Sequence, residues 1–296
     1  MTAPRFSASL LKASILALVL LIAAGGDALA QSVGLGSADG PLEITADNGI
    51  EWRRDDRIYI ARGNARAARG EVTVLADELQ ALYREGDNSD IYQVMAIGNV
   101  RIFTPRERVT GDRAVYNLDQ AKIVITGDDL KLETQTDTIT AEESLEYYER
   151  EQRAVARGDA VVVREDQRLA ADFMEAFFTE GPAGGDDLVL QRVDAVGDVR
   201  ISTPKDFARG DSGVYYADRE VATLEGDVRI TSGENQLNGG YAEVNLKTGV
   251  SRMMGAPSGS GGNRVRGLLL PQEKPENGDG QNTGGQNTDG QTNGSN

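Results

Sequence analysis

The sequence predicts an elongated all-β array, built by stacking short two- to three-strand repeats around an apolar interior. Three observations carry this. The chain repeats itself: Ala96–Asp128 and Ala195–Asp227 align without a gap at 14 of 33 identical positions. Apolar residues inside each repeat alternate with period two. Helical periodicity is nearly absent, and the charged stretch Glu142–Arg153, which tempts a helix assignment, falls where the repeat demands a strand and a turn.

Both strong copies carry Thr-Pro (Pro105, Pro204), Gly-Asp (Gly111–Asp112, Gly210–Asp211) and Val-Tyr (Val115–Tyr116, Val214–Tyr215). Weaker copies begin at Gly63, Gly127, Gly158 and Gly226, with 29 to 39 residues between successive glycines. A period of that size marks a stacked architecture, in which one unit cannot bury its apolar face alone.

In Gly98-Asn99-Val100-Arg101-Ile102, Val100 and Ile102 share a face and Arg101 points away. Val199 and Ile201 do the same around Arg200, and Val228 and Ile230 around Arg229. The Gly-Asn or Gly-Asp before each strand reads as a turn, since these residues tolerate positive φ. A second strand follows an acid: Asp77 before Leu79, Asp112 before Tyr116, Asp172 before Met174, Asp211 before Tyr215. A third short strand holds Ile123 and Ile125 in one copy and Leu224 in another. The two ends of such an array present unpaired strand edges.

The termini read differently. Arg5 and Lys12, the apolar run after them and Ala28-Leu29-Ala30 describe a signal peptide, residues 1–30, cut after Ala30. The run is short for a span of roughly 20 apolar residues. Residues 31–40 follow as a linker and 41–271 as the folded domain. Residues 272–296, rich in Gly, Asn and Gln, lack the apolar surface to offset ordering and read as a disordered tail. Gly181-Pro182-Ala183-Gly184-Gly185 stretches one repeat and reads as a projecting loop.

Composition removes several classes of function. With no Cys and no His, disulfides, most transition-metal sites and His- or Cys-based catalysis are excluded, and no metal or cofactor is expected. A net charge of −16 argues against a nucleic-acid partner. The repeated Arg101, Arg200 and Arg229 read as solvent-facing partners of neighbouring acids, not as phosphate ligands. Asp128/Asp129, Glu142/Glu143 and Asp186/Asp187 read as turn acids, not as glycosidase pairs. Tyr116, Tyr215, Met174 and Phe178 either fill a closed core or line an open groove, and the pattern alone leaves both open.

After the signal peptide, GNVRIFTPRERVTGDRAVYNLDQAKIVITGD resembles the OstA-type repeat of the LptA/OstA-like family of periplasmic lipopolysaccharide-transport bridge proteins. The resemblance covers Pro41–Pro271, and Arg264–Pro271 looks like the family's last strand. It implies an open β-jellyroll whose interior accepts the acyl chains of lipopolysaccharide, without catalysis. The implied groove lining is Ile58, Ile60, Leu79, Val100, Ile102, Tyr116, Ile123, Ile125, Met174, Val199, Ile201, Tyr215, Leu224, Val228 and Ile230. It further implies a periplasmic location, docking to inner- and outer-membrane transport components through edge strands, and head-to-tail self-association as an option. The alternatives are a membrane-anchored LptC-like relative, if the N-terminal run stays uncleaved, and a β-solenoid enzyme acting on polysaccharide.

Overall fold

The computed structural model describes residues 42–85, 90–181, 188–245, 247–248, 250–255 and 264–268. The expected signal peptide, linker, tail and the residues of the projecting loop from Pro182 onward lie outside these. The strands form one 18-stranded antiparallel sheet, and no helix occurs among the described residues.

The first half begins with two short strands, β1 (Glu43–Thr45) and β2 (Ile50–Arg53). Four long ones follow: β3 (Ile58–Arg69), β4 (Val72–Tyr83), β5 (Ile91–Phe103) and β6 (Arg108–Asn117). In the middle of the chain come β7 (Lys122–Thr126), β8 (Lys131–Glu133), β9 (Thr138–Thr140) and β10 (Ser144–Tyr148). The second half has six long strands: β11 (Arg153–Arg164), β12 (Gln167–Glu180), β13 (Leu188–Ser202), β14 (Asp206–Tyr216), β15 (Val221–Ser232) and β16 (Asn235–Asn245). It closes with β17 (Val250–Met254) and β18 (Arg266–Leu268).

Long strands pair with their sequence neighbours as a meander. Four tiers are instead made of two short strands laid end to end. These are β1 and β2 along β3, β7 and β8 along β6, β9 and β10 along β11, and β17 and β18 along β16. In the middle, β7 pairs with β10 and β8 with β9, so the ladder continues through the centre of the chain.

Each long odd-numbered strand is bent at its Gly-Asn or Gly-Asp. Gly98 and Asn99 have φ of 77° and 47°, Gly197 and Asp198 of 82° and 42°, Gly226 and Asp227 of 77° and 37°. The register shifts there on both sides, as between Ile97 and Val100. The sequence predicts these pairs at the start of a strand. They lie inside strands, as bulges that fold each long strand into two arms. The reason is hydrogen bonding: pairing resumes two residues later, so the corner costs the ladder one step and not the strand.

Each bulge rests on an acid or amide of the preceding tier. A Cβ at Gly98 would overlap the Asp77 carboxylate; Gly197 stands in the same relation to Asp172, Gly226 to Asp211, Gly127 to Asp112, Gly158 to Glu143 and Gly63 to Asn48. Asn99 Nδ2 donates to Asp77 Oδ2 at 2.8 Å, Asn64 Nδ2 to Asp47 Oδ2 at 2.7 Å, and the Asp128 amide to Asp112 Oδ2 at 2.9 Å. The repeated acid and the repeated glycine are therefore two halves of one corner.

Candidate functional site: the apolar interior and its rims

The two arms of the folded sheet face each other across one buried apolar cluster. Val100, Val199 and Val228, each immediately beyond a bulge, are 1% exposed. Leu79, Ile102, Tyr116, Ile123, Ile125, Met174, Ile201, Tyr215, Leu224 and Ile230 belong to the same cluster. Much of the rest of it is alanine, including Ala65, Ala160 and Ala208, all fully buried, which lets the arms approach closely. Arg101, Arg200 and Arg229 are exposed on the outside.

Ile58 and Ile60 depart from the expected lining. Ala61 pairs with Leu79 and faces inward, whereas Ile60 pairs with Gln80 and Glu51, and Ile58 with Leu82 and Arg53. Paired residues share a face, so both isoleucines lie on the outer side. Size misled the reading here: the inward positions of β3 are Tyr59, Ala61, Ala65 and Ala67, smaller on average than their outward neighbours. Ile60 is nonetheless buried, beside Arg62, which is ion-paired to Glu51 and Glu78 at 2.8 Å each. Val155, at the same position of the second half, is buried on the outer side in the same way.

Buried side chains of the two arms pack against one another across the interior. A crevice of about 30 Å³ remains in the second half, lined from one arm by Leu169, Val199 and Ile201 and from the other by Ala195, Tyr215 and Leu224. That is space for about one water molecule. At the start of the chain the interior is closed by aromatic rings: Trp52 stacks on Tyr59 with centroids 5.6 Å apart, and Tyr59 lies 5.1 Å from Tyr83. Trp52 Nε1 donates to the Tyr83 hydroxyl at 2.8 Å.

Polar groups gather at the hairpin ends, which form the rims of the trough. Three turns share one design. The Thr104, Thr134 and Thr203 amides donate to the carbonyls of Glu107, Asp137 and Asp206, at 3.0, 2.9 and 2.9 Å. The acid's own amide donates back to the threonine hydroxyl, at 3.0, 2.9 and 3.0 Å. Asp137 is then held by Arg164, Nε to Oδ1 at 2.6 Å and Nη2 to Oδ2 at 2.7 Å. Burial pushes the Glu107 carboxyl up to about 7, against the pull of Arg106. At the opposite rim the Tyr116 hydroxyl donates to Glu149 Oε2 at 3.2 Å, and burial again raises that carboxyl. The sequence reading missed these rim acids, although Thr-Pro-x-acid recurs in both strong copies at Thr104–Glu107 and Thr203–Asp206.

On the outer face of the central junction, Glu146 is the hub of a polar cluster. Arg157 Nε and Lys122 Nζ reach it at 2.8 and 3.0 Å, and the Tyr148 hydroxyl donates to it at 2.6 Å. Burial works to raise this carboxyl, but the three hydrogen bonds outweigh it and hold it at about 2. Nearby, a polar groove of about 910 Å³ is lined by Arg101, Lys131, Arg168 and Arg200 together with Asp112 and Asp128. Both signs of charge line it. Among the described residues no cluster of acids is arranged to hold a metal ion.

The ends of the sheet repeat its middle. Ile44-Thr45-Ala46 and Ala61-Arg62-Gly63-Asn64-Ala65 correspond in order to Ile139-Thr140-Ala141 and Ala156-Arg157-Gly158-Asp159-Ala160, so β1 and β2 are the equivalents of β9 and β10. Likewise Arg266 pairs with Asn238 as Lys131 pairs with Thr110, which makes β17 and β18 the equivalents of β7 and β8. Apolar residues lie exposed at both ends: Ile50 and Trp52 at one, Val250, Met254 and Leu268 at the other.

Comparison with known proteins agrees with this duplication. The family described as "LptA/(LptD N-terminal domain) LPS transport protein" matches twice, over residues 43–143 and 138–250. No curated protein matches the chain. Among solved structures, the chain is similar to LptH, the LptA-homologous periplasmic component of the lipopolysaccharide transport device of Pseudomonas aeruginosa. That likeness has 18% identity and a TM-score of 0.38, over 46% of this chain and 96% of LptH. The family profile spans most of the folded sheet in two tandem copies, and the chain belongs to the LptA/LptD N-terminal-domain family of LPS transport proteins.

Proposed function

We propose that the protein is a non-enzymatic periplasmic carrier of lipopolysaccharide, which holds acyl chains between the two arms of its sheet. The observation that supports this most is the unbroken inward column from Val100 and Ile102 to Val228 and Ile230. Each acyl methylene removed from water contributes roughly 0.8 kcal/mol, so such a surface holds hydrocarbon without charge complementarity. A crevice of about 30 Å³ is too small for an acyl chain. Loading therefore requires the arms to separate, with lipid replacing contacts that the side chains now make with each other. The test is photocrosslinking in cells from Val100, Ile102 or Tyr116. Adducts with lipopolysaccharide from these positions are expected, and capture from outward Arg101 alone would overturn the reading.

The bridging role rests on the ends of the sheet. The central junction supplies a template for joining a β17–β18 end to a β1–β2 end, of a second copy or of a transport component with the same fold. Transferring its register sets Glu51 opposite Arg252 and Ile50 opposite Met253 of the next molecule, pairing opposite charge outside and apolar groups inside.

A further inference from the structure

We infer that the rims of the trough select a head group rich in hydrogen-bond donors, hydroxyl or amide, over one that presents phosphate. This rests on the reading of the interior as a site for acyl chains.

Among the described residues, the buried side-chain atoms without a hydrogen-bond partner are Glu107 Oε2, Glu149 Oε1, Gln167 Oε1 and both Oδ atoms of Asp206. Every one is a carboxyl or amide oxygen, acceptor-only once the acids are ionised, and every one sits at a hairpin end. Glu107, Gln167 and Asp206 share one rim, two residues before inward Val109, Leu169 and Ala208 respectively; Glu149 is on the other. Asp206 is 4% exposed, and neither of its oxygens is satisfied.

The third turn of the same design shows what such an acid takes. Asp137 occupies the position of Glu107 and Asp206, and it accepts two hydrogen bonds from Arg164. The other two turns hold the acid in place and supply no donor to those oxygens. An unmade hydrogen bond at a buried polar group carries a desolvation cost. Separation of the arms, which loading needs, uncovers the rims, and a head group lying between them meets acceptors on both sides. Hydroxyl and amide hydrogens satisfy those acceptors. A phosphate brings more acceptors and like charge.

The test compares two detergents with one alkyl chain, dodecyl maltoside and dodecyl phosphate, binding to the full chain at pH 7.5 below their micellar concentrations. Calorimetry is expected to give the maltoside at least about 10-fold tighter binding. Asp206→Ala should shrink that ratio several-fold, weakening maltoside by loss of the acceptors and strengthening phosphate by loss of the like charge. Asp206→Asn, which keeps an acceptor and loses the charge, should retain maltoside binding and improve phosphate binding. Circular dichroism of each variant checks folding. Equal affinity of the two detergents for the wild type overturns the inference while the trough stands, as does a ratio unmoved by both substitutions. Binding of neither detergent overturns the trough reading and this inference with it.

Discussion

Asp77 and Gly98 meet at a corner of the sheet so closely that glycine has no substitute there. The Asp77 carboxylate accepts from Asn99 Nδ2 at 2.8 Å and occupies the space that a Cβ on residue 98 would need. Gly98 also has φ of 77°, in the left-handed region. Gly98→Ala therefore carries two costs, about 1 kcal/mol for the backbone and a steric one on top. Gly233, with φ of 56° and nothing within 4 Å of an added Cβ, separates them. In urea denaturation, Gly233→Ala is expected to lose about 1 kcal/mol and Gly98→Ala clearly more. Asp77→Ala in the Gly98→Ala background should recover part of the difference.

That corner also shows what the sequence could and could not disclose. The alternation of Val100, Arg101 and Ile102 was legible because these three residues lie in one uninterrupted arm beyond the bulge, and the repeat of about thirty residues revealed the stacking. The place of Gly98-Asn99 was not legible: turn chemistry is the same whether a strand begins or merely folds there. Ile58 and Ile60 went to the wrong face because bulk replaced phase as the guide: Tyr59, Ala61, Ala65 and Ala67 keep one inward parity straight through the bulge at Gly63-Asn64. The rim acids were hidden for another reason. Glu107 and Asp206 look like turn residues, and only the third dimension turns their side chains inward.

Arg164 and Asp137 should be energetically coupled. Their side chains are 19% and 12% exposed, and the contact is bidentate, which lifts it above an exposed ion pair. Arg164→Ala leaves an acid in a partly buried turn and is expected to cost about 2 kcal/mol. The Arg164→Ala/Asp137→Ala double variant should be less destabilised than the sum of the singles, with a coupling of about 1 kcal/mol in a thermodynamic cycle. Additive effects would show that the pair contributes nothing beyond its separate side chains.

The transferred register can be read by cysteine crosslinking, because the chain has no cysteine of its own. Glu51→Cys/Arg252→Cys should give intermolecular disulfides under mild oxidation. Directly opposed antiparallel residues lie about 4.5–5.5 Å apart at Cα, within disulfide reach. Glu51→Cys/Met254→Cys moves one partner two residues along the strand and should crosslink poorly. Non-reducing electrophoresis gives the ratio. Equal yields would mean collision and not pairing, and a preference for the second pair would mean a different register.

Glu107 gives the stability curve a slope of unusual sign for a carboxylate. Its folded-state value of about 7 lies above the ordinary carboxylate range, so the folded chain binds the proton more tightly than the unfolded one. The stabilisation is complete below about pH 4.5 and is lost as pH rises through 7. Glu146 acts in the opposite sense: held at about 2, it stabilises above the ordinary range and loses that contribution as pH falls toward 2. The two windows do not overlap, so each can be measured separately. Between pH 4.5 and 7.5, Glu107→Gln should flatten the fall in melting temperature seen in the wild type, by the equivalent of about 1–3 kcal/mol. Glu146→Gln should leave that interval unchanged in slope and flatten the acid limb below pH 4.5. A wild-type curve that rises steadily from pH 4.5 to 7.5, with Glu107→Gln parallel to it, would show that the Glu107 carboxyl is solvated and ionised in the folded chain.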